Sequence, residues 1–293
     1  MAAGGRHWLI LLILVALWGS SYLMIEIALR LWSPAQITGL RVVAGLSVLL
    51  VAMIVAGQRF PREPRLWAYF LMFAVVGNCM PFFLISWGQQ QVESGLAGIL
   101  AATMPLVVLL VAHLVLPDER LSWRQGIAFL VGFAGIVTLM GPDSLAALGG
   151  SADRLVAQLA VFAGAVCYAV STVGARLLPP ISSLVTAATV LLIATLLMAP
   201  FAVDGALLLP KVTPAVGLAL AILGFLGTGF ASILYFYLIA QTSARFVSYL
   251  NYLVPIWAVA LGAFVLGESL PITSWFALGL ILTGLAISQR ASR

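Results

Sequence analysis

An all-α integral membrane protein with ten transmembrane helices, arranged as a five-plus-five inverted repeat, is the fold class this sequence predicts. Three observations lead there: the composition, the spacing of the apolar runs, and self-similarity at an offset of 150 residues. Of the 293 residues, 63% are hydrophobic and 8% charged, whereas a soluble globular chain carries about 25% charged residues. A backbone in hydrocarbon must satisfy its hydrogen bonds internally. Spanning elements are therefore helices of about 20 residues, or barrel strands of about 10 with alternating polarity. The runs here are long and do not alternate, which selects helices.

Breaks in the apolar pattern place the spans at 8–30, 35–57, 66–87, 95–116, 122–141, 156–178, 181–203, 215–238, 246–267 and 271–290. The first follows Arg6 and His7; it is long enough to span and is expected to be retained as a helix. Spans six and seven must part at "LLPPISS", 177–183, because Pro179 and Pro180 inside one helix would remove amides and clash with the preceding turn. With the N-terminus in the cytoplasm, ten Arg side chains fall on the inner side, and Arg30, Arg41, Arg154 and Lys211 fall outside. That asymmetry predicts both termini inside. The net charge of +5 therefore reads as a topology signal, not as a nucleic-acid surface. Cys79 and Cys167 lie within apolar spans, where a thiol behaves as a small hydrophobe, and neither implies a disulfide or a metal site.

Sliding the chain against itself by 150 residues brings Ser21 onto Ser171, Gly77 onto Gly227, Gln91 onto Gln241 and Pro105 onto Pro255; after a one-residue slip Glu119 meets Glu268. Residues 1–150 and 151–293 then form the two halves of one membrane domain, five spans each. An odd number of spans inverts the second half, and two inverted halves around a midplane site are the basis of alternating access.

"WGSSY" in span one, Pro34 and Arg41 at the start of span two, and Pro105 and Glu119 echoed by Pro255 and Glu268 together resemble the drug/metabolite transporter superfamily, specifically its EamA-type ten-helix exporters. The resemblance covers nearly the whole chain and implies export of amino acids or other metabolites without naming one. The second half departs from the pattern, since Leu191 stands where the first half has Arg41.

A site near the midplane would draw on Trp18, Tyr22, Asn78 and Phe82 from the first half, and on Tyr168, Ser171 and Tyr235 from the second. Ser248, Asn251 and Tyr252 add a polar face of helix nine at helical spacing. Pro105 and Pro255 are expected to break helices four and nine at matching positions, a pointer to a transporter's binding site, although packing kinks would look alike. Asn251 could equally bridge helices, and Gly19, Ser20 and Ser21 are expected to form a close helix contact. The tryptophans near span ends read as interfacial anchors. No charged residue falls at the middle of a span, which favours a neutral or zwitterionic substrate such as an amino acid.

Glu26 lies about 10 Å from the midplane by helix rise. It is expected to form an ion pair with Arg41 or Arg30 in the outer half, structural in the first instance. The runner-up function is export of lipophilic drugs, with Glu26 as the partner of a cationic one. An intramembrane enzyme is disfavoured, since two histidines, His7 and His113, give no HExxH pair or Ser/His relay. A passive scaffold would leave the matched breaks unexplained. With no Walker sequence, neither ATP hydrolysis nor any cofactor is expected; proton exchange and uniport remain equal readings. The expected partners are a small-molecule substrate and the lipid of the cytoplasmic membrane, with no nucleic acid. The sequence leaves the oligomeric state open.

Overall fold

The computed structural model describes residues 4–116, 122–146, 153–207 and 211–291. Glu119, the sequence partner of Glu268 in the repeat, lies outside them. All regular structure among the described residues is helical. The ten helices are α1 Gly5–Ala28, α2 Pro34–Val55, α3 Pro64–Gly88, α4 Ser94–Val115, α5 Trp123–Ala146, α6 Asp153–Leu177, α7 Ser183–Ala206, α8 Pro214–Gln241, α9 Leu250–Leu266 and α10 Ile272–Ala291. Eight are long and apolar enough to cross a bilayer, and α5 and α9 contain shorter apolar helices, Trp123–Leu139 and Leu250–Leu266. A one-turn helix, Ala244–Val247, precedes α9. Phe264 and Ile272 are 89% and 81% exposed, as lipid-facing positions should be when water is not the solvent.

Local chemistry sets the ends. Ser33 and Gln36 form a reciprocal capping box at the start of α2, with Pro34 in its first turn. At the end of α9, Gly267 adopts φ 68°, a left-handed conformation that glycine takes without strain. Its turn directs the next residue, Glu268, back toward α4. The expected separation of α6 from α7 is present: residues 178–182 are non-helical.

The packing follows a pattern. α1 packs on α8 and α9, and α6 packs on α3 and α4. α2 packs on α7 and α8, α7 also meets α3, α4 meets α9, and α5 pairs with α10. Exchanging each helix for the one five places along leaves these most extensive pairings unchanged, whereas the smaller α1–α4, α4–α5, α5–α6 and α4–α10 contacts do not follow the exchange. Three buried apolar clusters fill the bundle: one around Ile25, Trp32 and Leu96, one around Leu49, Phe70 and Leu191, and one around Leu14, Leu238 and Leu250.

The α2–α7 contact is close enough that a Cβ on Gly39 would sit 2.7 Å from the Ala202 amide nitrogen and 3.0 Å from its Cα. Backbone cannot swing aside as a side chain can. Gly39→Val is therefore expected to lower the thermal midpoint in detergent, at a cost of about 1–3 kcal/mol. An unchanged midpoint would mean the two helices can part freely there.

Candidate functional site

Two helices depart from α geometry at corresponding places. In α3, Val75–Cys79 is π-helical, and in α8, Ile222–Phe230 is. The wider turn leaves carbonyls without their usual i+4 donor, and side chains supply substitutes. Asn78 Nδ2 donates to Phe73 O at 3.2 Å, and Thr228 Oγ1 donates to Leu223 O at 2.8 Å, each reaching back five residues. Trp18 Nε1 donates to Gly227 O at 3.1 Å. Sequence reasoning did not foresee these segments. The signal was present in the aligned glycines: a Cβ on Gly77 would meet Ser171 Oγ at 2.5 Å, so α3 and α6 approach through the missing side chain.

Between these helices lies a cavity of about 210 Å³. Asn78, Leu191 and Thr228 line it at mid-depth, and Phe236, Leu178 and Thr186 line it toward one end, with Ser171 between. Six crossings return the chain to its starting side, so Leu178 and Thr186 belong to the face that carries the N-terminus. The cavity thus runs from the centre toward that face.

The opposite face is held by polar contacts, most of them between the first and second halves of the chain. Trp32 Nε1 donates to Gly205 O at 3.0 Å, and Gln36 donates to Asp204 beside it. Arg154 grips both oxygens of Glu93 at 2.9 and 2.8 Å. Glu268 accepts from the backbone amides of Ser94 and Gly95 at 2.8 and 2.9 Å, capping α4 from across the bundle. A Cβ on Gly262 would strike the Glu268 carboxylate, so this seal also depends on glycine. Gln89 Nε2 ties α3 to Tyr22 O at 2.9 Å.

None of the rings expected around the substrate, Trp18, Tyr22, Phe82, Tyr168 and Tyr235, lines the cavity; four of them form two pairs outside its lining. Trp18 and Tyr235 are 5.1 Å apart between centroids, and Phe82 and Tyr168 are 6.4 Å apart. Tyr22 packs in the same apolar cluster as Tyr168. Asn78 and Ser171 line the cavity itself, whereas Ser248, Asn251 and Tyr252 are half-buried on the α9 side and do not line it. Gly19–Ser21 make the close contact expected of them: a Cβ on Gly19 would lie 2.7 Å from Trp257, whose Nε1 donates to Ser20 Oγ at 3.1 Å.

Three expectations need correction. Pro105 sits in the first turn of Met104–Val115, after a break at residues 102–103. Pro255 lies inside α9, and the turn there falls earlier, at residues 248–249. A proline six residues into a helix frees a single carbonyl, that of Asn251, and the helix continues past it. Second, Glu26 does not pair with Arg41 or Arg30; the ion pair seen among the described residues is Arg154–Glu93. Glu26 stays half-buried and Arg30 exposed, the charges around Glu26 being Arg30, Glu93 and Glu268. Arg41 turns away from it.

Third, the centre is not free of charge. Arg41 is 7% exposed. Its Nε donates to Thr228 Oγ1 at 2.8 Å, and its Cζ lies 3.8 Å from the Phe82 ring centroid. The Arg41 Cα stands about 5 Å from the middle of α2 by helix rise, and the long side chain covers that distance, because Thr228 is at the middle of α8. Tyr22 and Tyr168 are ionisable groups whose fields reach it. Among the described residues no group of three or more His, Cys, Asp or Glu could hold a metal ion, so the chemistry here belongs to one guanidinium, hydroxyls, an amide and rings.

A polytopic helical bundle with a mid-depth cavity and interrupted helices beside it defines the class of membrane transporters. The chain belongs to the EamA-like transporter family, whose description matches residues 6–141 and 155–289. It is 30% identical over 274 residues to the uncharacterized inner membrane transporter YedA of Escherichia coli K12, covering 92% of this chain and 86% of that protein. An uncharacterized transporter of Archaeoglobus fulgidus is 24% identical over 287 residues, 97% of this chain and 99% of its own. A solved crystal structure of a protein matches with a TM-score of 0.65 at 23% identity, covering 99% of this chain and 100% of that one; at that identity the likeness concerns the fold alone.

Proposed function

We propose that this protein is a secondary transporter that exports small neutral or zwitterionic metabolites, most of all amino acids with aromatic or apolar side chains. It works by alternating access across the cytoplasmic membrane, with both termini inside. The observation that carries this reading is the asymmetry of the two faces. The cavity between the π segments of α3 and α8 reaches the N-terminal face, while the far face is cross-linked through Glu268, Arg154 and Trp32. With the N-terminus in the cytoplasm, this is the inward-facing state.

The matched π segments, and the most extensive helix pairings, which survive exchange by five, support an inverted repeat of 1–150 and 151–293. The substrate's apolar part would then lie against Leu49, Phe73, Val190, Leu191 and Phe236 of the cavity wall, with Asn78 and Ser171 offering polar contacts. The YedA relative's description as an inner membrane transporter supports the location.

The test is counterflow. Purified protein in liposomes preloaded with unlabelled L-phenylalanine is expected to accumulate labelled L-phenylalanine transiently. Equal uptake by protein-free liposomes, across a panel of aromatic and apolar amino acids, would remove the amino-acid assignment. The leucine, valine and phenylalanine lining also suits lipophilic drugs. That second reading predicts protection of cells from such drugs without any amino-acid counterflow.

A further inference from the structure

We infer that Arg41 is the carboxylate-binding residue of the transport site, and that the substrates are monocarboxylates carrying an aromatic or apolar group. This rests on the transporter reading above and adds to it a required chemical group.

The argument begins with charge balance. Arg41 is more than nine-tenths buried, and a guanidinium stays protonated even there. A buried charge is ordinarily paired, because desolvation costs several kcal/mol per ion. No carboxylate among the described residues lies within ion-pair distance of Arg41. The ionisable groups whose fields reach it, Tyr22 and Tyr168, are phenols, neutral at physiological pH.

Hydrogen bonding points the same way. A guanidinium carries five N–H donors, of which Nε–H is taken by Thr228. The two terminal nitrogens, with four donors, make no hydrogen bond in the described structure. They are also not among the described side-chain atoms that are fully buried without a partner, so they keep some of the 7% exposure of this residue. Thr228 lines the cavity, which puts Arg41 immediately behind the cavity wall at mid-depth. Phe82 holds the guanidinium by its face, leaving the edge with the parallel terminal N–H groups as the binding edge. That fork matches a carboxylate bidentately.

The number of charges selects the ligand. One cation balances one anion, so a simple monocarboxylate leaves the centre neutral, while a zwitterion pairs its carboxylate with Arg41 and leaves its ammonium to uncharged acceptors such as Asn78 and Ser171. A phosphate monoester near pH 7 carries close to two negative charges, and one of them would stay uncompensated. The substrate's remainder would lie along the apolar lining of the cavity, Phe73, Val190, Leu191 and Phe236. Leu191, at the position equivalent to Arg41 in the other half, is apolar and lines the cavity, so the site holds the carboxylate at one end only.

Competition against labelled L-phenylalanine in the counterflow assay tests this in the unaltered protein, with 3-phenylpropanoate, phenethylamine and phenyl phosphate as probes. The expected result is that 3-phenylpropanoate competes and phenethylamine competes about 100-fold more weakly, the factor that loss of a charge-assisted bidentate contact gives. Phenyl phosphate should also be the weaker. Arg41→Gln should abolish the preference for 3-phenylpropanoate over phenethylamine, and Arg41→Lys should keep part of it. Equal competition by phenethylamine, stronger competition by phenyl phosphate, or an unchanged preference in Arg41→Gln would overturn the assignment. Binding of 3-phenylpropanoate to the detergent-solubilised protein, read by thermal shift, separates the two readings. Carboxylate-dependent binding without counterflow supports Arg41 and removes export, whereas counterflow without carboxylate preference keeps transport and removes Arg41.

Discussion

Replacing Arg41 by methionine is expected to make the protein more stable and unable to transport. Methionine has a comparable volume, carries no charge, and keeps a sulfur contact with the Phe82 ring worth about 0.3–1.5 kcal/mol. What is lost is the Thr228 hydrogen bond and the cation–π contact, together about 3.5–5 kcal/mol when desolvated. What is removed is a buried, unpaired charge whose desolvation costs several kcal/mol. Thr228 keeps its own donation to Leu223 O, so no new unsatisfied group appears. Buried ionic groups replaced by apolar ones of similar size give changes from neutral to about 1–4 kcal/mol of stabilisation. The expected readout is a thermal midpoint in detergent at or above that of the unaltered protein, with counterflow of L-phenylalanine reduced by about 100-fold. A clear drop in the midpoint would mean that Arg41 holds the fold together, and that its charge is balanced by something other than a substrate.

Neutralising Glu268 is expected to open the face that is sealed here. Its carboxylate accepts two backbone amides at the start of α4, and Glu93, the residue that would ordinarily cap that helix, is taken up by Arg154. Glutamine at 268 leaves one neutral acceptor where two charged ones stood, a loss of about 2 kcal/mol, or roughly thirty-fold in the ratio of closed to open states. Spin labels at the exposed positions Gln90 and Thr273, introduced with Cys79 and Cys167 replaced by alanine, would report it. Glu268→Gln should shift the distance distribution toward longer separations. A distribution indistinguishable from that of unmodified Glu268 would show that other contacts close this face unaided.

The fold was largely legible because membrane helices announce themselves by length and polarity. The ends of α2, α6 and α7 follow from Ser33–Pro34 and from Pro179–Pro180, whose local chemistry leaves few alternatives. Helix rise assigns a depth to Trp18, Phe82, Tyr168 and Tyr235, but depth does not say which way a ring faces, and none of the four lines the cavity. The central charge of Arg41 was not legible, because depth was counted to its Cα and the charge sits at the end of a long flexible stem. For the same reason the expected Glu26–Arg41 pair failed: equal depth on two helices does not make two side chains turn toward each other. The role of Glu268 was hidden for a different cause. It depends on Gly267 turning the chain back and on Gly95 and Gly262 leaving room, and each matters only once α4 and α9 lie side by side.

The π segments carry a mechanical consequence. A π turn holds one residue more than an α turn closes over, and that surplus can travel along the helix as one hydrogen bond is exchanged for the next. Each one-residue step turns the intervening side chains by about 100° and slides them about 1.5 Å, while the two ends of the helix stay where they are anchored. α3 is tied at its far end through Gln89, and α8 adjoins the held end of α7, yet Asn78 and Thr228 sit on the portions that such a step would rotate. The walls of the chamber can thus be re-faced by a screw motion inside two fixed rods, without either rod having to tilt.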